Sequence, residues 1–180
     1  MIVNSQKRSF GKGCDVSLFT LGTMRATDNF EKMYALIKSA YDTGINHLET
    51  AASYGKAEKL IGKALQKLET SENIFRKEWI ITNKVLPKGD FNYLKNNFEK
   101  SLKNLRLQKI HNLAIHGINL DEHLDWVLNG EGTDFLKWVI KKGFVDQIGF
   151  SSHGNYKLIE NAIKSEVFSF CNLHLHFLDQ

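Results

Sequence analysis

Gly44-Ile45-Asn46-His47-Leu48-Glu49-Thr50-Ala51-Ala52-Ser53-Tyr54-Gly55 reads as a short buried strand that ends in an acid, followed by a turn carrying a tyrosine. Two later stretches repeat the arrangement. Trp79-Ile80-Ile81-Thr82-Asn83-Lys84-Val85 is a second strand with a lysine at its end, and Leu113-Ala114-Ile115-His116-Gly117 is a third that ends in a histidine. Acid, tyrosine, lysine and histidine at the exits of successive strands form a proton-transfer set and point to carbonyl chemistry.

Outward from these strands, helical and strand patterns alternate along the chain. Phe30, Met33, Leu36, Ile37, Ala40 and Tyr41 recur at helical spacing, Asp28 with Glu31 makes a capping box, and Gly44 sits where that helix stops. Leu60, Ile61, Ala64, Leu65 and Leu68 mark a second helix. Asp90 caps a third, whose apolar face is Phe91, Leu94, Phe98, Leu102 and Leu105. A strand over Ile110–Ile115, a helix over Asp134–Lys142 closed by Gly143, a strand over Val145–Ser151 and a helix over Tyr156–Ser165 follow, and Val167–Leu175 is a last apolar run. At the other end, Arg8–Ser17 reads as a hairpin and Leu18–Met24 as the first strand of the main sheet. The spacing predicts six strands and about five helices in one domain over residues 1–180, with Gly117–Thr133 as its irregular segment.

Strands that alternate with helices of this length make βα units and a parallel sheet. A doubly wound sheet would carry its chemistry at one Gly-rich phosphate turn, and no G-x-G-x-x-G follows the first strand. A (β/α)8 barrel instead gathers catalytic residues from the C-terminal ends of several strands, which is where Glu49, Lys84 and His116 lie. The expected fold is therefore a parallel (β/α)8 TIM-type barrel with an N-terminal β-hairpin. Such barrels typically need about 250 residues, with about 200 near the lower limit. The 180 residues present predict a barrel truncated after about six strands.

Bulk properties narrow the function. Net charge is +4, with the lysines spread along the chain, so a nucleic-acid surface is disfavoured. No apolar run approaches the roughly 18 residues needed to span a bilayer, and the N-terminus lacks the apolar core of a signal peptide. Cys14 and Cys171 form no disulfide framework. A cytoplasmic protein with no membrane or nucleic-acid partner is expected. His174 and His176 share a strand face, but no carboxylate or cysteine completes a zinc set, and no metal site is expected. Trp79, Trp126 and Trp138 read as packing residues, with Trp126 a candidate for the wall of a substrate pocket.

Reducing a carbonyl with a hydride requires a proton for the developing alkoxide, and Tyr54 is the candidate donor. A free phenol titrates near pH 10, too high for ready transfer near neutrality. An ammonium about 4 Å away at an effective dielectric near 20 contributes roughly 4 kcal/mol. Lowering a phenol by two units takes only about 2.7 kcal/mol, so Lys84 at that distance would do the tuning alone. Glu49 would hold that lysine, and a neutral His116 would orient and polarise the substrate oxygen. Each residue also has a structural reading: a loop tyrosine, an ion pair at a barrel mouth, a hydrogen-bonded histidine. Their order at consecutive strand exits favours catalysis.

These residues carry a family resemblance over nearly the whole chain: it is similar to the aldo/keto reductases. Gly44–Gly55 resembles that family's G-I-x-x-x-D-T-A-x-x-Y-G signature, Leu21-Gly22-Thr23-Met24-Arg25 its first strand, and Ile81–Val85 its lysine strand. Ile148-Gly149-Phe150-Ser151-Ser152-His153 resembles the I-G-x-S-N strand that meets the nicotinamide amide. His116-Gly117-Ile118-Asn119 and the Gly-Phe-Ser-Ser-His run look most like the branch with a C-terminal ferredoxin-like iron–sulfur extension, whose cluster-binding cysteines this chain lacks. The resemblance implies NADPH-dependent reduction of a small aldehyde or ketone to an alcohol, with Tyr54 as general acid, Lys84 and Glu49 as its partners and His116 orienting the substrate. It implies NADP(H) contacts at Gly22, Thr23, Met24, Ser151, Ser152 and Asn172.

Three departures qualify the resemblance. The family's aspartate is Glu49, its sixth-strand glutamine is Asn172, and the asparagine after its serine is Ser152. These 180 residues are also expected to stop short of the last two strands of a full barrel, which carry the usual phosphate loops. A second reading follows: a truncated or degenerate reductase-like module without catalysis, acting through binding or through self-association by open sheet edges. A fragment of a longer reductase is a third.

Overall fold

The computed structural model describes residues 6–25 and 29–175. A two-stranded antiparallel hairpin, β1 (Lys7–Ser9) and β2 (Asp15–Ser17), precedes the main sheet. That sheet has six parallel strands in sequence order: β3 (Thr20–Gly22), β4 (His47–Glu49), β5 (Ile80–Val85), β6 (Ile110–His116), β7 (Val145–Ser152) and β8 (Phe170–Leu173). Between them run α1 (Phe30–Asp42), α2 (Ala57–Glu72), α3 (Phe91–Leu105), α4 (Asp121–Leu128), α5 (Glu131–Lys141) and α6 (Tyr156–Lys164). Strictly consecutive parallel strands with helical crossovers curl into part of a (β/α) barrel, as the alternation of patterns predicts.

Local chemistry fixes the helix starts. Asn29, Asp90 and Asn155 each accept the backbone N–H three residues on, capping α1, α3 and α6. Asp28 of the expected capping box lies outside the described residues, and Asn29 takes the cap. The stretch expected to be irregular, Gly117–Thr133, instead contains α4 and the first residues of α5. Sparse apolar residues conceal α4: only Leu124 and Val127 are buried on it.

Strand residues alternate between two faces. The outward set, including Leu48, Ile81, Leu113, Ile115, Ile148 and Phe150, packs under the helices as the hydrophobic core. Trp79 is fully buried there. Trp138 joins Phe91, Phe98, Phe135 and Phe144 at centroid separations from 5.2 to 6.3 Å. Trp126 donates its indole N–H to the Gly89 carbonyl at 3.1 Å, and its ring lies where a side chain at Gly132 would stand, so it packs α4 against α5.

The inward face is polar, which period-2 alternation alone does not announce. Its lower layer is one hydrogen-bonded chain. Gln147 takes the Lys12 N–H on its oxygen at 2.8 Å and donates from its nitrogen to the Phe10 carbonyl at 2.8 Å and to Asn112 at 2.9 Å. Asn112 donates to Thr82 at 3.0 Å, and His47 bridges Thr82 and Thr20 at 2.7 and 2.8 Å. The hairpin is thereby stitched beneath five strands of the sheet, and a floor closes the amino-terminal end of the concave face.

Candidate active site

One layer above that floor, strand register brings the four residues together. Glu49 stands across from Thr82, Lys84 from Ala114, and His116 from Ser151, which in turn faces Asn172. The β4–β5 ladder continues past β4: Thr50 N–H donates to the Thr82 carbonyl at 2.9 Å and Ala52 N–H to the Lys84 carbonyl at 3.1 Å. This extension carries the chain along β5 until a turn, closed by Tyr54 N–H to the Ala51 carbonyl at 3.0 Å, delivers the tyrosine beside the lysine. Gly55 follows at φ 57°, a left-handed conformation that costs glycine nothing and lets α2 begin at once.

The Lys84 side chain is only 3% exposed, and its three donors are all used. Nζ donates to Glu49 Oε1 at 2.6 Å, to the Tyr54 hydroxyl at 3.2 Å and to the Thr50 carbonyl at 3.4 Å. A buried ammonium is tolerated when every donor finds an oxygen. Because the phenol oxygen accepts from Lys84, the Tyr54 O–H is left to donate elsewhere. His116 stacks its ring edge-to-face on Tyr54, with centroids 5.6 Å apart at 82°. Its Nδ1 meets Ser53 Oγ at 3.2 Å. Burial first, then the Lys84 charge, holds His116 below the ordinary imidazole range, so the ring is neutral near pH 7.

The expected cofactor contacts divide. Gly22 ends β3 with no atom within 4 Å of where a Cβ would stand, and Met24 beyond it is exposed. Thr23 is fully buried and donates to the Glu49 carbonyl at 2.9 Å, tying β3 to β4. Ser151 is half-buried at the strand exit, where its hydroxyl accepts the Gly117 N–H at 3.0 Å. Ser152 points to the other face: it is buried, donates to the Ile118 carbonyl and accepts the Gly154 N–H at 2.9 Å. Asn172 donates from Nδ2 to Glu49 Oε2. The departures at 49 and 172 therefore sit at the two ends of one contact. Cys171, on the opposite face of β8, is exposed.

Residues not singled out from sequence also frame the site. Ser53, next to Tyr54, holds His116. Glu58, buried in the first turn of α2, accepts from Asn83 at 3.0 Å and from Asn104 at 2.9 Å, and Asn83 in turn accepts the Lys84 N–H at 2.8 Å. Among the described residues no group of three or more His, Cys, Asp or Glu suits a metal ion. No helix among them is long and apolar enough to cross a membrane.

Fold and site together define a parallel (β/α)-barrel protein with a tyrosine, lysine, carboxylate and histidine gathered at the strand exits. The sequence profile of the aldo/keto reductase family matches residues 19–178, and the chain belongs to that family. The uncharacterized oxidoreductase YqkF of Bacillus subtilis (strain 168) is 26% identical over 178 residues, an overlap of 91% of this chain and 54% of that protein. This chain thus spans about half the length of that relative. Among solved structures, the aldo-keto reductase AKR11C1 of Bacillus halodurans in its holo form superposes with a TM-score of 0.78 at 22% identity, covering 96% of this chain and 58% of that one. The Bombyx mori aldo-keto reductase AKR2E4, in complex with NADP, gives a TM-score of 0.76 at 21% identity over 96% of this chain and 59% of that one. At these identities the structures establish the fold.

Proposed function

We propose that this chain carries the proton-transfer half of an NADPH-dependent oxidoreductase that reduces a small aldehyde or ketone to an alcohol. The observation that carries the reading is the Lys84 ammonium, held between Glu49 Oε1 at 2.6 Å and the Tyr54 hydroxyl at 3.2 Å. Reduction needs a hydride at carbon, which NADPH supplies when bound, and a proton at oxygen, which Tyr54 gives up. The phenolate left behind faces the Lys84 ammonium, so charge developing in the transition state meets a group already in place. His116, neutral and held at Nδ1, donates from Nε2 to the carbonyl oxygen and keeps it within reach of the phenol. Tyr54 then recovers its proton from solvent.

The strand exits fit the nicotinamide end of such a cofactor. Gly22 leaves space free of side chain at the mouth, and half-buried Ser151 and Asn172 offer polar groups across it. The test is NADPH binding followed by tryptophan fluorescence, with NADH as control, and then an aldehyde screen. Tyr54→Phe is expected to bind NADPH as the parent does while losing a hundred- to ten-thousandfold in turnover, about the usual worth of a general acid. Undiminished reduction by a folded Tyr54→Phe protein would sink the mechanism.

The sheet edges favour a second reading, self-association. At β8 a cavity of about 200 Å³ is lined by Phe150, Ile163, Phe168, Phe170 and Cys171 among others. Phe19, beside β3 at the other edge, is 75% exposed. Apolar edges of this kind invite a partner. Sedimentation velocity over a range of concentrations checks this reading: a mass that stays monomeric removes it.

A further inference from the structure

We infer that Asn172 is a positioning residue for the proton donor, acting through Glu49; the inference rests on the reading of Tyr54 as the acid. Glu49 divides its two oxygens: Oε1 takes Lys84 at 2.6 Å, and Oε2 takes the Asn172 amide. A carboxylate only accepts, so the amide must present its nitrogen, and the assignment of Nδ2 follows from chemistry. In the sheet, β5, β6 and β7 lie between β4 and β8, so this contact crosses the concave face rather than running along a ladder. It ties together strands that share no backbone hydrogen bond.

The mechanical consequence concerns rotation. A glutamate held through one oxygen can still turn about its last bond, and its side chain is 22% exposed, within reach of water. With the second oxygen fixed by Asn172, the carboxylate plane is set, and with it the direction from which Oε1 draws on Lys84. Nζ has its other bonds to the Tyr54 hydroxyl and the Thr50 carbonyl, so a shift at Glu49 passes directly to the phenol. The order of the chain is Asn172, Glu49, Lys84, Tyr54. Its first member touches none of the reacting atoms and needs no cofactor bound.

The contact also has a defined reach. Removing one methylene from Glu49 opens a gap, and adding one to Asn172 closes it. The proposal is therefore tested with Asn172→Ala, Glu49→Asp and the paired exchange Glu49→Asp with Asn172→Gln, all in this chain. The first readout is the Lys84 ammonium resonance in a nitrogen-15 correlation spectrum, assigned by its disappearance in Lys84→Arg. A buried ammonium with three fixed acceptors exchanges slowly enough to be seen. It is expected in the parent and the paired exchange, and lost to exchange in Asn172→Ala and Glu49→Asp. The second readout is kinetic. Asn172→Ala should lower kcat by on the order of ten- to a hundredfold, the scale of a misplacement near 1 Å, without raising KM for the carbonyl.

An intact Lys84 resonance in Asn172→Ala overturns the proposal, as does a paired exchange no better than Glu49→Asp alone. Weakened NADPH binding with the resonance intact would leave Asn172 a cofactor contact alone, with no part in placing Lys84, which also overturns it. If the parent reduces no carbonyl, the functional reading fails on its own, and the resonance still decides this inference.

Discussion

Ser53 has no chemistry of its own to offer, yet it sets what His116 can do. A neutral imidazole has one donor and one acceptor nitrogen, and whichever partner holds Nδ1 decides how Nε2 is presented. Ser53 is that partner, at 3.2 Å. Ser53→Ala should lower kcat/KM for a carbonyl by about tenfold, the equivalent of one neutral hydrogen bond, with NADPH affinity unchanged in a binding titration. Burial and Lys84 depress His116, so proton NMR should place its ring titration below the ordinary value near 6.5. The four residues of the site were legible in the sequence because Glu49, Lys84 and His116 lie at the ends of recognisable strands and Tyr54 in the turn that follows the first of them. Ser53 was not, since nothing in the spacing says that a turn serine will meet a histidine on β6.

β5 carries the lysine and is buried along its full length, so its placement depends on what packs behind it. Glu58 supplies that backing by accepting from Asn83 on β5 and Asn104 near the end of α3. Glu58→Ala would strand the buried Asn83 amide and the half-buried Asn104 amide and should cost about 1–3 kcal/mol of stability in urea unfolding, with Glu58→Gln milder because one bond survives. α2 reaches α3 through Gly62, where a Cβ would collide with the Asn104 and Leu105 backbone. Gly62→Ala should destabilise by about 1–3 kcal/mol, since backbone rather than a flexible side chain must give way. Helix α2 itself was evident from its apolar spacing. Its buried glutamate was not, because a charged residue in a first turn ordinarily reads as a solvated helix start.

The concave face is a polar interior stacked in two layers, and the lower one is expected to make the protein acid-sensitive. His47 is 2% exposed and held neutral between Thr20 and Thr82, with burial lowering its titration to about 4. A group depressed in the folded state contributes in full above its unfolded value, near 6.5, and loses that contribution as pH falls toward the folded value. Between those limits the native protein should lose on the order of 3 kcal/mol through this histidine alone. His111 and His116, lowered in the same direction, add to the slope. Urea unfolding measured across this range should be steeper in the parent than in His47→Gln, and equal slopes would remove His47 as the cause.

Alternation of period two and of period 3.6 was enough to establish a parallel βα sheet with a leading hairpin, because those periods report which side of each element is dry. Chemistry at the strand ends was enough to propose Tyr54, Lys84, Glu49 and His116. The structure places His47, Thr82, Asn112 and Gln147 on the inward face, and alternation by itself does not distinguish a closed polar interior from a solvated one. Only the hairpin's descent onto Gln147 decided that. Nor could spacing reveal that Asn172 meets Glu49 across 123 residues of chain. Local pattern is set by neighbours a few residues away, whereas contact across a curved sheet depends on how far every intervening strand is tilted and staggered.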